Sequence, residues 1–127
     1  MLARASVLDP SNGEIAWRLG TAWIAARRPD DAVRELRRAL GLLAATQQIP
    51  VRRDLAIAHF FQADYTACLR ELEELDRLRP GSAEAHYWRA RVFREQERLE
   101  KARAEVRLGL EADPEHVRLR KLAGELG

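Results

Sequence analysis

From residue 13 onward the apolar residues recur at steps of three and four, as in Ala16, Leu19, Gly20, Trp23 and Ala102, Val106, Gly109, Leu110. That spacing lays them along one face of an α-helix. The pattern divides into pairs of helices. Helices are predicted over approximately 13–27, 49–62 and 83–96, each followed by a partner over 30–45, 65–79 and 99–112. Short breaks separate the partners at Arg28-Pro29-Asp30, Ala63-Asp64 and Glu97-Arg98. Pro29 suits a first helical turn, where its missing N–H costs nothing, and Asp30 and Asp31 complement the helix dipole there. Ser11 and Glu14 have the spacing of a capping box at the start of the first helix. Pro80 and Pro114 end one helix and help start the next.

The pairs repeat. The junctions Leu8-Asp9-Pro10, Leu78-Arg79-Pro80 and Ala112-Asp113-Pro114 place prolines 70 and 34 residues apart, 70 being 36 plus 34. Ala32, Cys68 and Ala102 are spaced by 36 and 34, and so are Leu36, Leu72 and Val106. Two extra residues near Gln47 and Gln48 account for the longer interval. Small residues at Gly20, Ala56 and Ala90 and at Ala32, Cys68 and Ala102 would let paired helices approach closely. A two-helix unit cannot bury its apolar face alone, so stacking in series is what creates a continuous core. A plain helical bundle would not require small residues and prolines to recur at this period.

Residues 2–8 read as the tail of a second helix, and residues 115–126 as a first helix whose polar Arg118, Arg120, Lys121 and Glu125 suit an end cap. The expected organisation is therefore one domain over 1–127: a partial helix at 2–9, units at about 13–46, 49–82 and 83–116, and a capping helix at 115–126.

The stretch Leu19-Gly20, Trp23, Ala32, Leu36, Ala39 resembles the signature of tetratricopeptide repeats, with an Asp9-Pro10 lead-in. The third unit matches through Ala90, Phe93, Leu99, Ala102, Val106, Gly109 and Asp113-Pro114. The second matches through Leu55-Ala56, Tyr65, Cys68, Leu72, Leu75 and Pro80, but has His59 where a large aromatic is usual and Arg52 where Trp is common. The resemblance implies an all-α fold, a right-handed α-solenoid of antiparallel helix hairpins. It also implies a scaffold or adaptor that binds a protein or peptide on the concave face lined by the first helices.

Carried over by position, that lining comprises Trp17, Arg18, Thr21 and Ile24, then Arg53, Asp54, Ile57, Phe60 and Phe61, then Tyr87, Trp88, Arg91 and Arg94, with Arg118 and Lys121 from the last helix. Aromatic and Arg side chains are the types enriched at binding hot spots. On this reading Trp88→Ala and Arg91→Ala weaken partner binding and leave melting nearly unchanged. The two-carboxylate clamp that some family members use for chaperone tails is absent. Its positions hold Trp17, Thr21, Asp54, Glu84 and Trp88, and Asp54 and Glu84 are expected to repel a carboxylate. The competing function is a structural or oligomerisation module of a larger assembly or longer chain, self-associating through the incomplete end units.

Composition narrows the classes. Hydrophobic residues are 46% and charged residues 33% of the 127, with only 7 Gly and 5 Pro, the make-up of a folded helical protein. The net charge of +2 is small for phosphate binding, and no nucleic-acid partner is expected. No apolar run approaches the roughly 18 residues of a membrane helix, and no leader pattern is visible. A cytoplasmic protein with no membrane partner is the expectation, which lapses if the chain is a fragment. The single Cys68 cannot form an internal disulfide and takes a helix-packing position. His59, His86 and His116 lack a partner ligand at helical spacing, so no metal, cofactor or catalytic residue is assigned.

Overall fold

The computed structural model describes residues 12–127, all of whose regular structure is helical. In chain order the helices are α1 (Gly13–Ala25), α2 (Pro29–Leu42), α3 (Gln48–Phe61), α4 (Tyr65–Leu78), α5 (Ala83–Glu95), α6 (Leu99–Ala112) and α7 (Val117–Leu126), with a 3-10 turn at Ala45–Gln47. The expected partial helix at 2–9, the Leu8-Asp9-Pro10 junction and Ser11 lie outside the described residues. Asn12 performs the capping expected of Ser11, its Oδ1 accepting from the Ile15 backbone N–H at 3.0 Å.

The three hairpin turns share one geometry. Arg27, Ala63 and Glu97, 36 and 34 residues apart, have φ of 62°, 60° and 59°, in the left-handed region that side-chain-bearing residues avoid. At each turn two N–H groups reach back to the carbonyls that the helix leaves open. Arg28 N donates to Trp23 O at 2.8 Å, Asp64 N to His59 O at 3.0 Å and Arg98 N to Phe93 O at 2.8 Å. The left-handed residues themselves donate to Ile24, Phe60 and Arg94 carbonyls at 3.0, 2.9 and 3.0 Å. The first helices therefore stop one or two residues before the ends expected from their periodicity.

Glycine at such a position removes about 1–2 kcal/mol of strain and returns about 0.5–1 kcal/mol as unfolded-chain entropy. Ala63→Gly is expected to stabilise the protein by about 0.5–1 kcal/mol. A fall in melting temperature would show that the turn carries no such strain.

Two compact units, Met1–Glu71 and Leu72–Gly127, each have their own core. In the first, Ala16, Ala32, Val33, Leu36, Ala39, Val51, Leu55 and Ala58 form a buried cluster flanked by Trp17, Trp23, Ile24, Leu40 and Leu43. The small residues do what the repeat requires. A methyl group built on Gly20 would lie 2.6 Å from Leu36 Cγ and Cδ2, so α1 and α2 touch with no room for a side chain. Helix α2 ends at Leu42 rather than at 45, because the backbone turns extended at Leu43 and places that side chain against the cluster. Gln48 Nε2 then donates to the Leu40 and Leu43 carbonyls, both at 3.3 Å, and closes the junction that holds the two extra residues.

In the second unit Leu72, Ala85, Ala90, Val92, Ala102, Val106, Leu119 and Leu122 are buried. Here Gly109 is the point of contact, its α-carbon facing Leu119 of α7 and His86 of α5. Helix α7 starts at Val117, two residues later than expected. Asp113 Oδ1 accepts from Glu115 N at 3.2 Å, and His116 Nδ1 caps the helix by accepting from Leu119 N at 3.1 Å.

Candidate functional site

In the first unit the sequence-predicted residues gather around one carboxylate. Asp54 is buried on α3, and its Oδ2 accepts from Trp17 Nε1 of α1 at 2.8 Å and from Thr21 Oγ1 at 3.5 Å. Arg53 Nη2 donates to Asp54 Oδ1 at 3.3 Å, while Thr21 Oγ1 also bonds the Trp17 carbonyl at 3.1 Å. A buried carboxylate is tolerable only when paired and hydrogen-bonded, and these donors meet that requirement. Trp17, Thr21 and Arg53 are thus brought together.

The other residues of this unit go elsewhere. Arg18 is exposed and pairs with Glu14 one turn back, at 3.3 Å. Phe60 is buried, with ring centroids 5.4 Å from Phe61 and 5.7 Å from Tyr65. Ile57 is half-buried. Phe61, 52% exposed, borders a hollow of about 460 Å³ with Ile24 and Pro29.

The second unit has a denser arrangement centred on Glu84, at the start of α5. Glu84 Oε1 accepts from Trp88 Nε1 at 3.1 Å and from Arg118 Nη2 at 2.8 Å, and Oε2 lies 3.3 Å from His116 Nε2. Because His116 Nδ1 accepts from the α7 backbone, Nε2 carries the proton of the neutral ring and donates it to Glu84. Burial pushes the Glu84 carboxyl up, but the Trp88 indole, the Arg118 charge and the His116 ring together outweigh it and hold the group below its ordinary value.

Above Glu84, Tyr87 and Trp88 are buried and meet edge-to-face at 5.2 Å. The Arg118 guanidinium lies 4.7 Å from the Tyr87 centroid, and that of Arg91 lies 5.2 Å from the Trp88 centroid. Arg94 pairs with Glu125 of α7 at 2.7 Å. Tyr87, Arg91 and Arg94 of α5 and Arg118, Lys121, Leu122 and Glu125 of α7 line a hollow of about 270 Å³.

Two expectations change. Asp54 and Glu84 do not stand free to repel an anion, since each is saturated by donors from its own unit. Trp88 is only 4% exposed, so its truncation would cost stability as well as any contact, and it cannot report on binding alone. The role of His116 as both helix cap and Glu84 partner was missed. The available signal was a histidine two residues after Pro114, at a cap position. Glu84 and Trp88, four apart on a predicted helix, were equally legible as a pair.

The histidines and cysteine sit in packed or paired settings. His59 is buried with Nδ1 2.8 Å from Gln62 Oε1, His86 Nδ1 is 2.8 Å from Glu105 Oε1, and Cys68 is buried. Among the described residues no three His, Cys, Asp or Glu side chains gather as metal ligands, and no helix is long and apolar enough to cross a membrane.

Comparison with known proteins agrees with this architecture. No curated protein sequence matched the chain. Among solved structures, MamA superposes with a TM-score of 0.81 at 22% identity, over 98% of this chain and 72% of that one. Yeast Tom70 gives 0.65 at 19% identity, over 89% of this chain and 23% of its own. The UNC-45 chaperone gives 0.78 at 15% identity, over 91% of this chain and 13% of its own. At these identities the likeness is one of fold. The tetratricopeptide-repeat family model matches residues 53–117, over half of the chain. That family is one of protein-interaction scaffolds, typically without catalysis. With helix hairpins at the family's period, matching left-handed turns and small residues at the helix contacts, the chain belongs to the tetratricopeptide-repeat family.

Proposed function

We propose that this chain is a peptide- or protein-binding scaffold whose ligand lies on the first helices of its hairpins. The observation that carries this reading is the hollow of the second unit. Every residue lining it comes from α5 or α7, both first helices, and it combines aromatic, Arg and Lys side chains. In the first unit the corresponding helices α1 and α3 are tied by the Trp17–Asp54 hydrogen bond. That bond leaves Arg18, Thr21 and Arg53 exposed at the surface. Such a face offers fixed side chains on rigid helices, which lowers the ordering cost of binding.

Peptides selected by display against the whole chain and fitted with a photo-crosslinker are expected to label α1, α3, α5 or α7. Labelling confined to α2, α4 or α6 would place the ligand on the opposite faces and end this reading.

A second reading, an oligomerisation module, is favoured by a different observation. Val106, Leu110, Ala123 and Leu126 border a hollow of about 580 Å³ beside α6 and α7. Apolar openings of this kind are common where proteins associate. A solution mass that stays at one chain across a wide concentration range removes this alternative.

A further inference from the structure

We infer that the exposed face of α7, together with the hollow between α6 and α7, seats an amphipathic helix of a partner protein. That helix carries a small residue, two of any kind, Glu, and then Leu or Val. The inference is independent of the first-helix ligand reading, and it gives the hollow an occupant other than a second copy of this chain.

The first argument is an unfilled repeat position. Gly124 stands 34 residues after Ala90, as Ala90 does after Ala56, so in α7 it takes the small-residue position of a first helix. Gly20, Ala56 and Ala90 are buried at that position. A methyl group on Gly20 would strike Leu36 of α2, but one on Gly124 would meet nothing within 4 Å. Val117, two turns back on the same face, is 77% exposed. A glycine inside an exposed helix only costs stability unless something approaches it closely.

The second argument is the hollow beside it. Ala123 and Leu126 stand 68 residues (34 plus 34) after Leu55 and Ala58, and Val106 stands 70 (36 plus 34) after Leu36. In the first unit Leu36, Leu55 and Ala58 belong to the buried cluster. Their counterparts in the second border an open space of about 580 Å³.

The third argument is charge, and it names the occupant. Each second helix carries Glu just before its large apolar contact: Glu35 before Leu36, Glu71 before Leu72 and Glu105 before Val106. Arg52 of α3 pairs with Glu71 at 3.0 Å, and His86 Nδ1 of α5 lies 2.8 Å from Glu105. In α1 the position is Ala16, and Glu35 pairs with Arg38 on its own helix. Arg120 stands 34 residues after His86, as His86 does after Arg52, and presents the same position on α7. It pairs with Glu115 at 3.4 Å, through side chains 63% and 85% exposed, a screened contact that a docked Glu can replace. A second copy has no such helix to offer among the described residues. Ala32, Cys68 and Ala102, the small residues of all three, are already fully buried.

The probe is an end-blocked peptide with the 14-residue sequence of α2, Pro29–Leu42, whose three acids balance its three arginines. It carries Ala32, Glu35 and Leu36, and α2 already packs against a glycine-bearing first helix. Fluorescence anisotropy with the whole chain is expected to show binding. Glu35→Gln in the peptide should weaken it about threefold, and Arg120→Glu in the protein about fivefold or more. A Glu35→Arg peptide should recover the affinity lost to Arg120→Glu. Gly124→Leu should abolish binding without lowering the melting temperature, because the space around Gly124 is open. Gly41→Leu, at an equally open glycine of α2, should leave binding intact.

No binding to the unaltered chain would overturn the inference, as would binding that Gly124→Leu leaves unchanged. The crosslinking test of the first-helix reading is unaffected by either result. A solution mass that rises with concentration, and no longer does so in Gly124→Leu, would give this face to a second copy instead.

Discussion

Replacing Leu36 by Ala should destabilise the protein by about 2–5 kcal/mol, and Gly20→Ala by about 1–3 kcal/mol, yet the two together should cost less than their sum. Leu36 is fully buried in the first unit's core, so truncation loses its transfer energy and leaves a cavity. Gly20→Ala has the opposite defect, since its new methyl group would meet Leu36 Cγ and Cδ2 at 2.6 Å. A fully buried Leu cannot swing aside. Helix propensity favours Ala over Gly by up to about 1 kcal/mol, which offsets only part of the clash. When Leu36 is already Ala, the added methyl enters the space that the Leu vacated. Urea unfolding of the two single variants and the double variant measures the coupling. Strict additivity would mean that α1 and α2 are not locked together at this contact.

The second large effect concerns Glu84. Glu84→Gln keeps an acceptor for Trp88 but removes the charge that Arg118 and His116 face. At pH 7 the cost is expected to be about 1.5–3 kcal/mol, the range for hydrogen bonds to a charged group. Its pH dependence identifies the cause. The folded-state pKa of Glu84 lies below its ordinary value, so the ionised form is favoured by folding. This contribution is fully present above the unfolded carboxylate pKa of about 4.3 and is lost as pH falls through the lower folded-state value. The stability gap between wild type and Glu84→Gln should therefore shrink on acidification from about pH 5 downward. A gap that stays constant down to pH 3 would mean that the charge of Glu84 contributes nothing.

Much of this was legible in the sequence because the family's physics is local. The period of the small residues located the helix contacts, and Gly20, Ala32, Ala56, Cys68, Ala90 and Ala102 are all buried. The helix starts were readable from Pro29 and from the Ala83 and Leu99 periodicity. Helix ends were less so. Arg27, Ala63 and Glu97 carry no signal of left-handed backbone, since glycine, the usual marker, is missing at all three. The end of α2 was hidden for another reason. Leu42-Leu43-Ala44 has no breaker, and the helix ends where the backbone turns extended at Leu43, whose partly buried side chain packs against the core cluster.

For the site, residue types and positions could be named, but not their states. Position alone puts Trp88 and Tyr87 on a contact surface and leaves Asp54 and Glu84 as free charges, whereas both rings are buried and both carboxylates are held by donors. Periodicity places a residue on a face. It does not reveal which donor from another helix arrives there.

The left-handed turns also fix where this architecture can change length. From the small residue of each first helix to the left-handed residue is seven positions: Gly20 to Arg27, Ala56 to Ala63, Ala90 to Glu97. From there to the small residue of the second helix is five, at Ala32, Cys68 and Ala102. The two extra residues of the longer repeat fall entirely between hairpins, in the stretch closed by Gln48. A hairpin is thus a fixed-length cassette, because one added residue would rotate a helix by about 100° and carry its small face out of contact. The links between cassettes have no such constraint. Insertions, tags or loops grafted at Ala44–Gln47 should be absorbed there, whereas the same insertion at a hairpin turn should not.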